Sequence, residues 1–367
     1  MSKEAKNLSE PQPKLCTTSG ADSPYSYAEN SSYQKGVLDA AKDIIAESIW
    51  AKLDLKNASF DPSSPFRIAD LGCSAGPNTF IAVQNIIEAV KHKYQSAEHQ
   101  VPEFQVFFND HADNDFNTLF RSLPRTRDYT AAGVPGSFHG RLFPKSSLHL
   151  VHSSYALHWL SRVPVEVGDR SSPAFNRGSV HSSGFVREVA EAYSAQYSGD
   201  MEAFLRCRAE EVVGGGLMLL ILLALPDGIL SSQTTAGMTF DLVANCLRDM
   251  AKAGVISEEK LNSFNLPLYY VSPGELEAIV ERNGYFTIER MVPMTNTIKE
   301  TPADVQTIVL HFRAVVEGLI KEHFVNENIV KELFERFAQK LTDNFYIYDD
   351  EHRKNIYIFL LLKRKSH

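Results

Sequence analysis

Two patterns of apolar positions alternate along the chain. Short continuous apolar runs end near residues 71, 108, 152, 225, 289 and 362, and their length predicts buried strands. Between them, apolar positions recur every three or four residues, as over residues 36–53, and this spacing predicts amphipathic helices. Strands that alternate with helices predict an α/β fold, a Rossmann-like sheet with helices on both faces.

The helical segments are extensive enough to cover more than the two faces of a sheet. Residues 1–22 are rich in Ser, Pro and Lys, a composition that predicts disorder. No repeat or linker divides the remainder, so residues 23–367 are predicted to form one domain. We expect its core at about residues 55–160, 185–225 and 280–367, and an α-helical cap over the ligand site from about residues 23–54, 161–184 and 226–325.

The first strand leads into a tight turn with unusual chemistry. Residues 67–79 read RIADLGCSAGPNT, so an acid, Asp70, precedes a turn that contains Gly72 and Gly76. The GxGxxG pattern that seats a pyrophosphate is absent, and so is the Gly-Lys-Ser/Thr of a P-loop. An acidic glycine turn suits a ligand with a ribose and a positive charge but no phosphate, and S-adenosylmethionine has these properties. The alternative is a turn that only connects strand to helix.

The second strand supports the nucleoside interpretation. Residues 103–108 form its apolar run, and Asn109 and Asp110 follow directly. In folds of this kind, an acid at the end of the second strand binds both ribose hydroxyls through its two oxygens. The sequence therefore predicts a donor nucleoside across the tips of the first two strands.

Composition narrows the class of partner. The net charge of -8 argues against nucleic acid, which usually requires a basic face. The polar N-terminus lacks the apolar core of a signal peptide, and no apolar run reaches the roughly 20 residues of a membrane helix. The four cysteines are scattered without a CxxC pair, which favours a reduced, cytoplasmic protein without disulfides or zinc. They are Cys16, Cys73, Cys207 and Cys246.

With these motifs located, the whole chain resembles the plant SABATH methyltransferases. Members of this family transfer a methyl group from S-adenosylmethionine to small carboxylic acids or, in one branch, to xanthine nitrogens. The resemblance is specific because its motifs occur in order over most of the chain. They lie at residues 26–31, 69–79, 108–110, 114–117, 134–138 and 153–160.

The resemblance implies a set of donor contacts. Ser31 would bind the methionine carboxylate, Asp70 and Asn78 its amino group, and Asp110 the ribose. Ser137 and Phe138 would bracket the adenine, and Tyr27 would lie near the sulfonium. His111 completes the set, and S-adenosylhomocysteine would be the product.

The resemblance also implies an acceptor pocket. Gln34 and Trp159 match the family's carboxylate clamp, and their N–H groups are suitable donors for a carboxylate. Such an acid is already ionised near neutral pH, so no general base is expected. Retained Gln34 favours an acid over a xanthine. Further pocket positions implied by the resemblance are Tyr155, His158, Phe240 and Gln306.

Several alternatives remain open at this point. Residues 33–37 and 65–68 resemble members that act on an iridoid acid such as loganic acid; Gln306 agrees with this, whereas Phe240 stands where a histidine is expected. Other acids (salicylate, benzoate, jasmonate, indole-3-acetate or farnesoate) are alternatives, as are xanthine N-methylation, a non-catalytic binding protein and an NAD-dependent oxidoreductase.

Two further expectations come from the family. Family members suggest a homodimer and a Mg²⁺ site. In this chain Asn262 replaces the aspartate of that site, and loss of the charged ligand should weaken a hard cation. The matching positions are Asn176, Asn262, Phe264 and Asn265.

Overall fold

The strands of the described residues form one mixed sheet. The computed structural model describes residues 32–294 and 304–366. Within them, seven strands lie in the order β3-β2-β1-β4-β5-β7-β6. Strands β1 to β5 pair in parallel, whereas β7 is antiparallel to both β5 and β6. Their bounds are β1 Phe66–Leu71, β2 Phe104–Asp110, β3 Tyr129–Pro135, β4 Leu148–Ser154, β5 Val212–Ala224, β6 Phe286–Pro293 and β7 Ile356–Arg364.

Helices cover both faces of this sheet, as predicted. Neighbouring side chains of β5 point to opposite faces, so Leu219 packs with α1 and α2 while Leu220 packs with α4 and α7. This arrangement explains why the central strands are apolar throughout rather than alternating. The helices are α1 Ser32–Lys52, α2 Asn78–Ser96, α3 Phe116–Arg121, α4 Arg187–Glu211, α5 Thr235–Lys252, α6 Glu258–Ser263, α7 Pro273–Asn283, α8 Val305–Phe324 and α9 Glu327–Asp343.

Local signals set the ends of α7. Ser272 accepts a hydrogen bond from the backbone N–H of Glu275, whose side chain in turn accepts from the Ser272 N–H. Pro273 occupies the first turn, where its missing N–H costs nothing. Gly284 ends the helix with φ +76°, a conformation that glycine adopts easily.

A third apolar cluster forms the helical cap. It joins residues of α5, α6, α8 and α9, and within it the ring of Phe312 packs at a tilt against both Phe240 and Phe337. The predicted α/β fold with a helical cap is confirmed. No helix of the described residues is both long and apolar enough to cross a membrane.

Three elements differ from the sequence predictions. Strand β3 was not predicted, because an edge strand pairs on one side only and tolerates the weakly apolar residues 129–135. Helix α1 packs on α2 against the sheet, although the sequence analysis assigned residues 23–54 to the cap. Helix α9 packs with the cap, although residues 280–367 were assigned to the core. An amphipathic stripe shows that a face is buried, but it does not show against what.

Candidate active site

The turn after β1 is pressed against the loop that follows β4. Gly72 has φ +81°, and a Cβ at this position would lie 2.4 Å from the Cβ of Ala156. Glycine is therefore required both for the backbone conformation and for the close approach. Ser74, two residues later, also has a left-handed backbone, with φ +52°. The turn thus carries its strain at the predicted donor site.

The carboxylate of Asp110 is held at the tip of β2 by backbone groups. One oxygen accepts the N–H of Ser74 at 2.7 Å and the other accepts the N–H of His111 at 2.8 Å. Burial raises the pKa of Asp110, while these two N–H groups oppose that shift. Each carboxylate oxygen can accept a second hydrogen bond, so the group is pre-oriented for a vicinal diol such as a ribose.

Asp70 is buried at the tip of β1 with 3% of its surface exposed. It accepts hydrogen bonds from the hydroxyl of Thr79 and from Nδ1 of His152 at 2.7 Å. The other ring nitrogen of His152, Nε2, is buried without a hydrogen-bond partner among the described residues. Asn78, the residue before Thr79, begins α2 and is also buried.

The loop after β3 is tied to the same edge of the sheet. The side-chain amide of Asn109 donates to the carbonyls of Val134 at 2.7 Å and Gly136 at 2.9 Å. Ser137 and Phe138 follow, and Cε1 of Phe138 lies 3.7 Å from the position that a Cβ on Gly72 would occupy. The structure therefore brings Asp70, Asn78, Asp110, His111, Ser137 and Phe138 to one edge, at the ends of β1, β2 and β3.

Aromatic rings gather where β4 ends. Tyr155 has φ +57°, and its ring centroid lies 6.5 Å from that of His158 and 5.6 Å from that of Tyr357. The ring of His158 also lies 5.6 Å from Trp159 and 5.9 Å from Tyr270. Burial lowers the pKa of His158 to about 4, so its imidazole is neutral near pH 7. This cluster matches the predicted acceptor side.

Gln34 lies in the first turn of α1. Its side chain is buried, and its Oε1 has no hydrogen-bond partner among the described residues. An unpaired buried amide oxygen is costly, and such groups are often satisfied by a ligand or by water. This oxygen is available to accept a hydrogen bond from a bound ligand or water.

A cavity of about 270 Å³ extends from Tyr270 towards the cap. Phe240 forms part of its wall and packs on His181 with a centroid distance of 5.4 Å. Nε2 of His181 pairs with Oδ1 of Asp241 at 2.9 Å, beside this wall. Glu275 also lines the cavity.

Some predicted positions lie elsewhere. Gln306 is exposed in the first turn of α8, while Tyr27 and Ser31 are outside the described residues, as are residues 1–22. Tyr270 and Tyr357 were missed by the sequence analysis. They are more than 100 positions from His158 along the chain, and no local motif indicates that they share a cluster with it.

The positions implied for Mg²⁺ do not fit a hard dication. The side-chain N–H groups of Asn176 donate to the carbonyls of Ser179 and His181 and to Oδ1 of Asn265, at 2.7–3.1 Å. An amide nitrogen therefore occupies the centre of this group of oxygens. Asn262 and the backbone of Phe264 add no carboxylate, and Mg²⁺ prefers carboxylate and water oxygens.

Comparison with known proteins agrees with this geometry. A family described as SAM dependent carboxyl methyltransferase matches residues 12–365. Loganic acid O-methyltransferase of Catharanthus roseus is 51% identical over 95% of this chain and 94% of that protein. Paraxanthine methyltransferase 2 of Arabidopsis thaliana is 43% identical over 86% of this chain and 89% of that protein. A solved structure of loganic acid methyltransferase with SAH has a TM-score of 0.92 and 50% identity, covering 95% of this chain and 99% of that one.

Asp70 and Asp110 lie at the tips of two neighbouring parallel strands, beside the strained glycine turn at Gly72. The chain belongs to the S-adenosylmethionine-dependent carboxyl methyltransferases. It is an enzyme that uses S-adenosylmethionine to methylate the carboxyl group of a plant acid, as the sequence predicted.

Proposed function

We propose that the acceptor is an oxygenated monocarboxylic acid of iridoid type, with loganic acid as the first candidate. The cavity beside Tyr270 carries this proposal, because its wall combines apolar residues with Glu275 and with His181, which pairs with Asp241. Glu275 already accepts three hydrogen bonds from protein groups, so about one acceptor position is left for a substrate hydroxyl, and its charge repels a second carboxylate. The 51% identity with an enzyme named for loganic acid supports the same class.

The donor would lie across the ends of β1, β2 and β3. Asp110 would accept both ribose hydroxyls, Asp70 and Asn78 would bind the amino group, and Ser137 with Phe138 would hold the adenine. Tyr27, Ser31 and His111 complete the proposed set. When bound, the donor supplies a methyl group on a positively charged sulfur.

The acceptor carboxylate would be held by Gln34 and Trp159, with Tyr155 and His158 beside it. A carboxylate is ionised near neutral pH, so the chain need not remove a proton from it. The residues have to orient one carboxylate oxygen and keep water away, and such alignment can lower a barrier by roughly 7–11 kcal/mol. Neutral His158 suits this role, since it can accept or donate one hydrogen bond without adding charge.

A panel of acceptors tests the proposal. Purified enzyme would be incubated with S-adenosylmethionine and, separately, with loganic acid, its aglycone, salicylate, farnesoic acid and paraxanthine, with product masses recorded. We expect a methyl ester of loganic acid or its aglycone at the highest kcat/KM. A higher kcat/KM with salicylate or farnesoic acid would overturn the iridoid assignment, and a methylated xanthine nitrogen would overturn the carboxylate clamp.

Phe240 and Gln306 bear on the choice between loganic acid and its aglycone as the acceptor. Phe240 is apolar at the cavity wall and favours the aglycone, whereas Gln306, whose match to a substrate-contacting glutamine favours loganic acid, is exposed on α8. The same panel therefore decides between them through the ratio of kcat/KM for the glucoside and the aglycone. We also infer a cytoplasmic homodimer by analogy with the family, which light scattering and a fluorescent fusion would test.

A further inference from the structure

Helix α4 carries a fully buried ion pair that no step of methyl transfer uses. Nε of Arg208 lies 2.7 Å from Oε2 of Glu211, and Nη2 lies 2.9 Å from Oε1. Both side chains are 0% exposed. Burying two charges is expensive, and apolar replacements of such a pair are often equally stable. The pair is therefore better explained by what it positions than by net stability.

Its remaining hydrogen bonds all reach one loop. Arg208 donates to the carbonyls of Phe138 and Gly140, each at 2.8 Å. Oε1 of Glu211 accepts the backbone N–H groups of Leu142 at 2.6 Å and Phe143 at 3.0 Å. The ion pair thus holds four backbone groups of residues 138–143, the segment that begins with the proposed adenine contact.

The same helix also holds the ring of Phe138. Phe204 lies edge-on to it with a centroid distance of 6.2 Å, and the Arg208 guanidinium lies 5.4 Å from the Phe204 ring. Phe138 is consequently held at its carbonyl by Arg208 and at its ring by Phe204. The Cε1 edge of the same ring faces the turn at Gly72.

We propose that Arg208 and Glu211 are positioning residues for the adenine of the methyl donor. They act through residues 137–138, so the inference depends on the proposed adenine contact of Ser137 and Phe138. Glu211 fixes the far end of the loop and Arg208 its near end. If either end of the loop is released, Phe138 and Ser137 can move away from the purine while the ribose and methionine contacts remain.

The test uses the full-length enzyme and a conservative variant, Glu211→Gln. Glu191→Gln is its matched control, because Glu191 lies on the same helix and forms an exposed pair with Arg187 at 2.7 Å rather than with the loop. We expect Glu211→Gln to raise the donor KM about tenfold, as a displaced binding group commonly does. The acceptor KM and the control should remain within about twofold of wild type.

A second measurement separates positioning from general loosening. Binding of S-adenosylhomocysteine and of S-inosylhomocysteine, which has an oxygen in place of the adenine amino group, would be measured by calorimetry. Wild type should prefer the adenine form by about tenfold, the effect of one hydrogen bond. Glu211→Gln should reduce that preference towards unity, which a variant that is only less stable would not do.

Phe138→Ala distinguishes the two ways in which the inference can fail. If Phe138→Ala leaves the affinity for S-adenosylhomocysteine unchanged, the adenine contact is wrong and the positioning role fails with it. If Phe138→Ala weakens binding but Glu211→Gln keeps both the wild-type donor KM and the wild-type preference, the positioning role alone is wrong. Arg208→Lys, which keeps the buried charge, replaces Glu211→Gln under the same criteria if that variant does not fold.

Discussion

The donor and acceptor halves of the site are built from different parts of the chain. The described residues of the proposed donor half lie between Asp70 and Phe138, at the ends of neighbouring parallel strands. The acceptor half combines Gln34 of α1, the segment after β4, Tyr270 and Phe240 of α5. The donor half comes from consecutive βα units of the chain. The acceptor half comes from elements that are distant in sequence and meet only in the folded protein.

The two halves also use different interactions. Asp110 is oriented by backbone N–H groups, and the side chain of Asn109 binds backbone carbonyls, so the ends of β2 and β3 in the proposed donor half are fixed largely through the backbone. In the acceptor half, aromatic rings pack on one another around His158. Backbone geometry is hard to change by substitution, while packed rings can be exchanged one at a time. The difference teaches that donor identity is built into the fold and acceptor identity is adjustable.

The largest expected effect concerns the turn at Gly72. Gly72→Ala adds a Cβ at a left-handed position and 2.4 Å from Ala156, so we expect a loss of about 2–5 kcal/mol in the free energy of unfolding. Chemical denaturation measures it. Gly254→Ala is the control, because Gly254 has φ +74° with nothing within 4 Å of the added Cβ, and should cost only about 1–2 kcal/mol. Equal losses in the two variants would show that the close approach to Ala156 does not matter.

Asp110→Ala tests the donor half directly. Loss of two charge-assisted hydrogen bonds to the ribose should cost about 3 kcal/mol, or roughly 150-fold in the Kd for S-adenosylhomocysteine. Calorimetry measures this affinity, and the acceptor KM should change little. Asp113→Ala, an exposed acid in the following loop, should bind as wild type does. An unchanged affinity in Asp110→Ala would remove this residue from the ribose site.

Gln34→Ala tests the acceptor half. Loss of a hydrogen bond to a carboxylate should weaken acceptor binding by about 1.5–2 kcal/mol. The acceptor KM should therefore rise roughly 10–30-fold, with the donor KM unchanged. Steady-state kinetics with each substrate varied in turn separate the two constants. Asp39→Asn, on an exposed position of the same helix, is the control. A rise in the donor KM instead would show that Gln34 contacts the donor and not the acceptor.

The smallest expected effect is a pH dependence from two buried histidines, one near the start of β4 and one in the acceptor half. Burial lowers the pKa of both His149 and His158 to about 4. His149 lies near the start of β4, and its Nδ1 accepts the N–H of Arg67 at 2.9 Å, which requires a neutral ring nitrogen. The unfolded chain binds these protons below about pH 6.5, whereas the folded state binds them only below about pH 4. The free energy of unfolding therefore falls as pH falls through that window.

His149→Gln measures how much one of the two histidines contributes to this pH dependence of stability. Between pH 7 and pH 5 the fall in stability should be smaller than in wild type by about 1–2 kcal/mol, because one proton-binding site of the unfolded state is gone. His99→Gln, at an exposed position, should leave the fall unchanged. For the acceptor half, the pH profile of the acceptor KM should show no inflection near pH 6.5, since His158 stays neutral there. An inflection that disappears in His158→Gln would contradict this assignment.

Local chemistry along the chain was enough to predict the reaction class. The apolar runs, the acid before the glycine turn at Gly72 and the acid after β2 each depend on residues close in sequence. A glycine turn and an acid at the end of a strand have the same local geometry in any fold of this kind. The α/β fold and the methyl donor could therefore be predicted from these residues. The family motifs then added the carboxylate clamp at Gln34 and Trp159.

Only the tertiary structure decided which distant residues meet. It placed Tyr270 and Tyr357 around His158, put α1 on the sheet and α9 in the cap, and left Gln306 exposed. It also brought the buried Arg208–Glu211 pair into hydrogen-bonding contact with the loop that begins at Phe138. Apolar burial has no direction, so a pattern along the chain shows that a side chain is covered without showing which partner covers it.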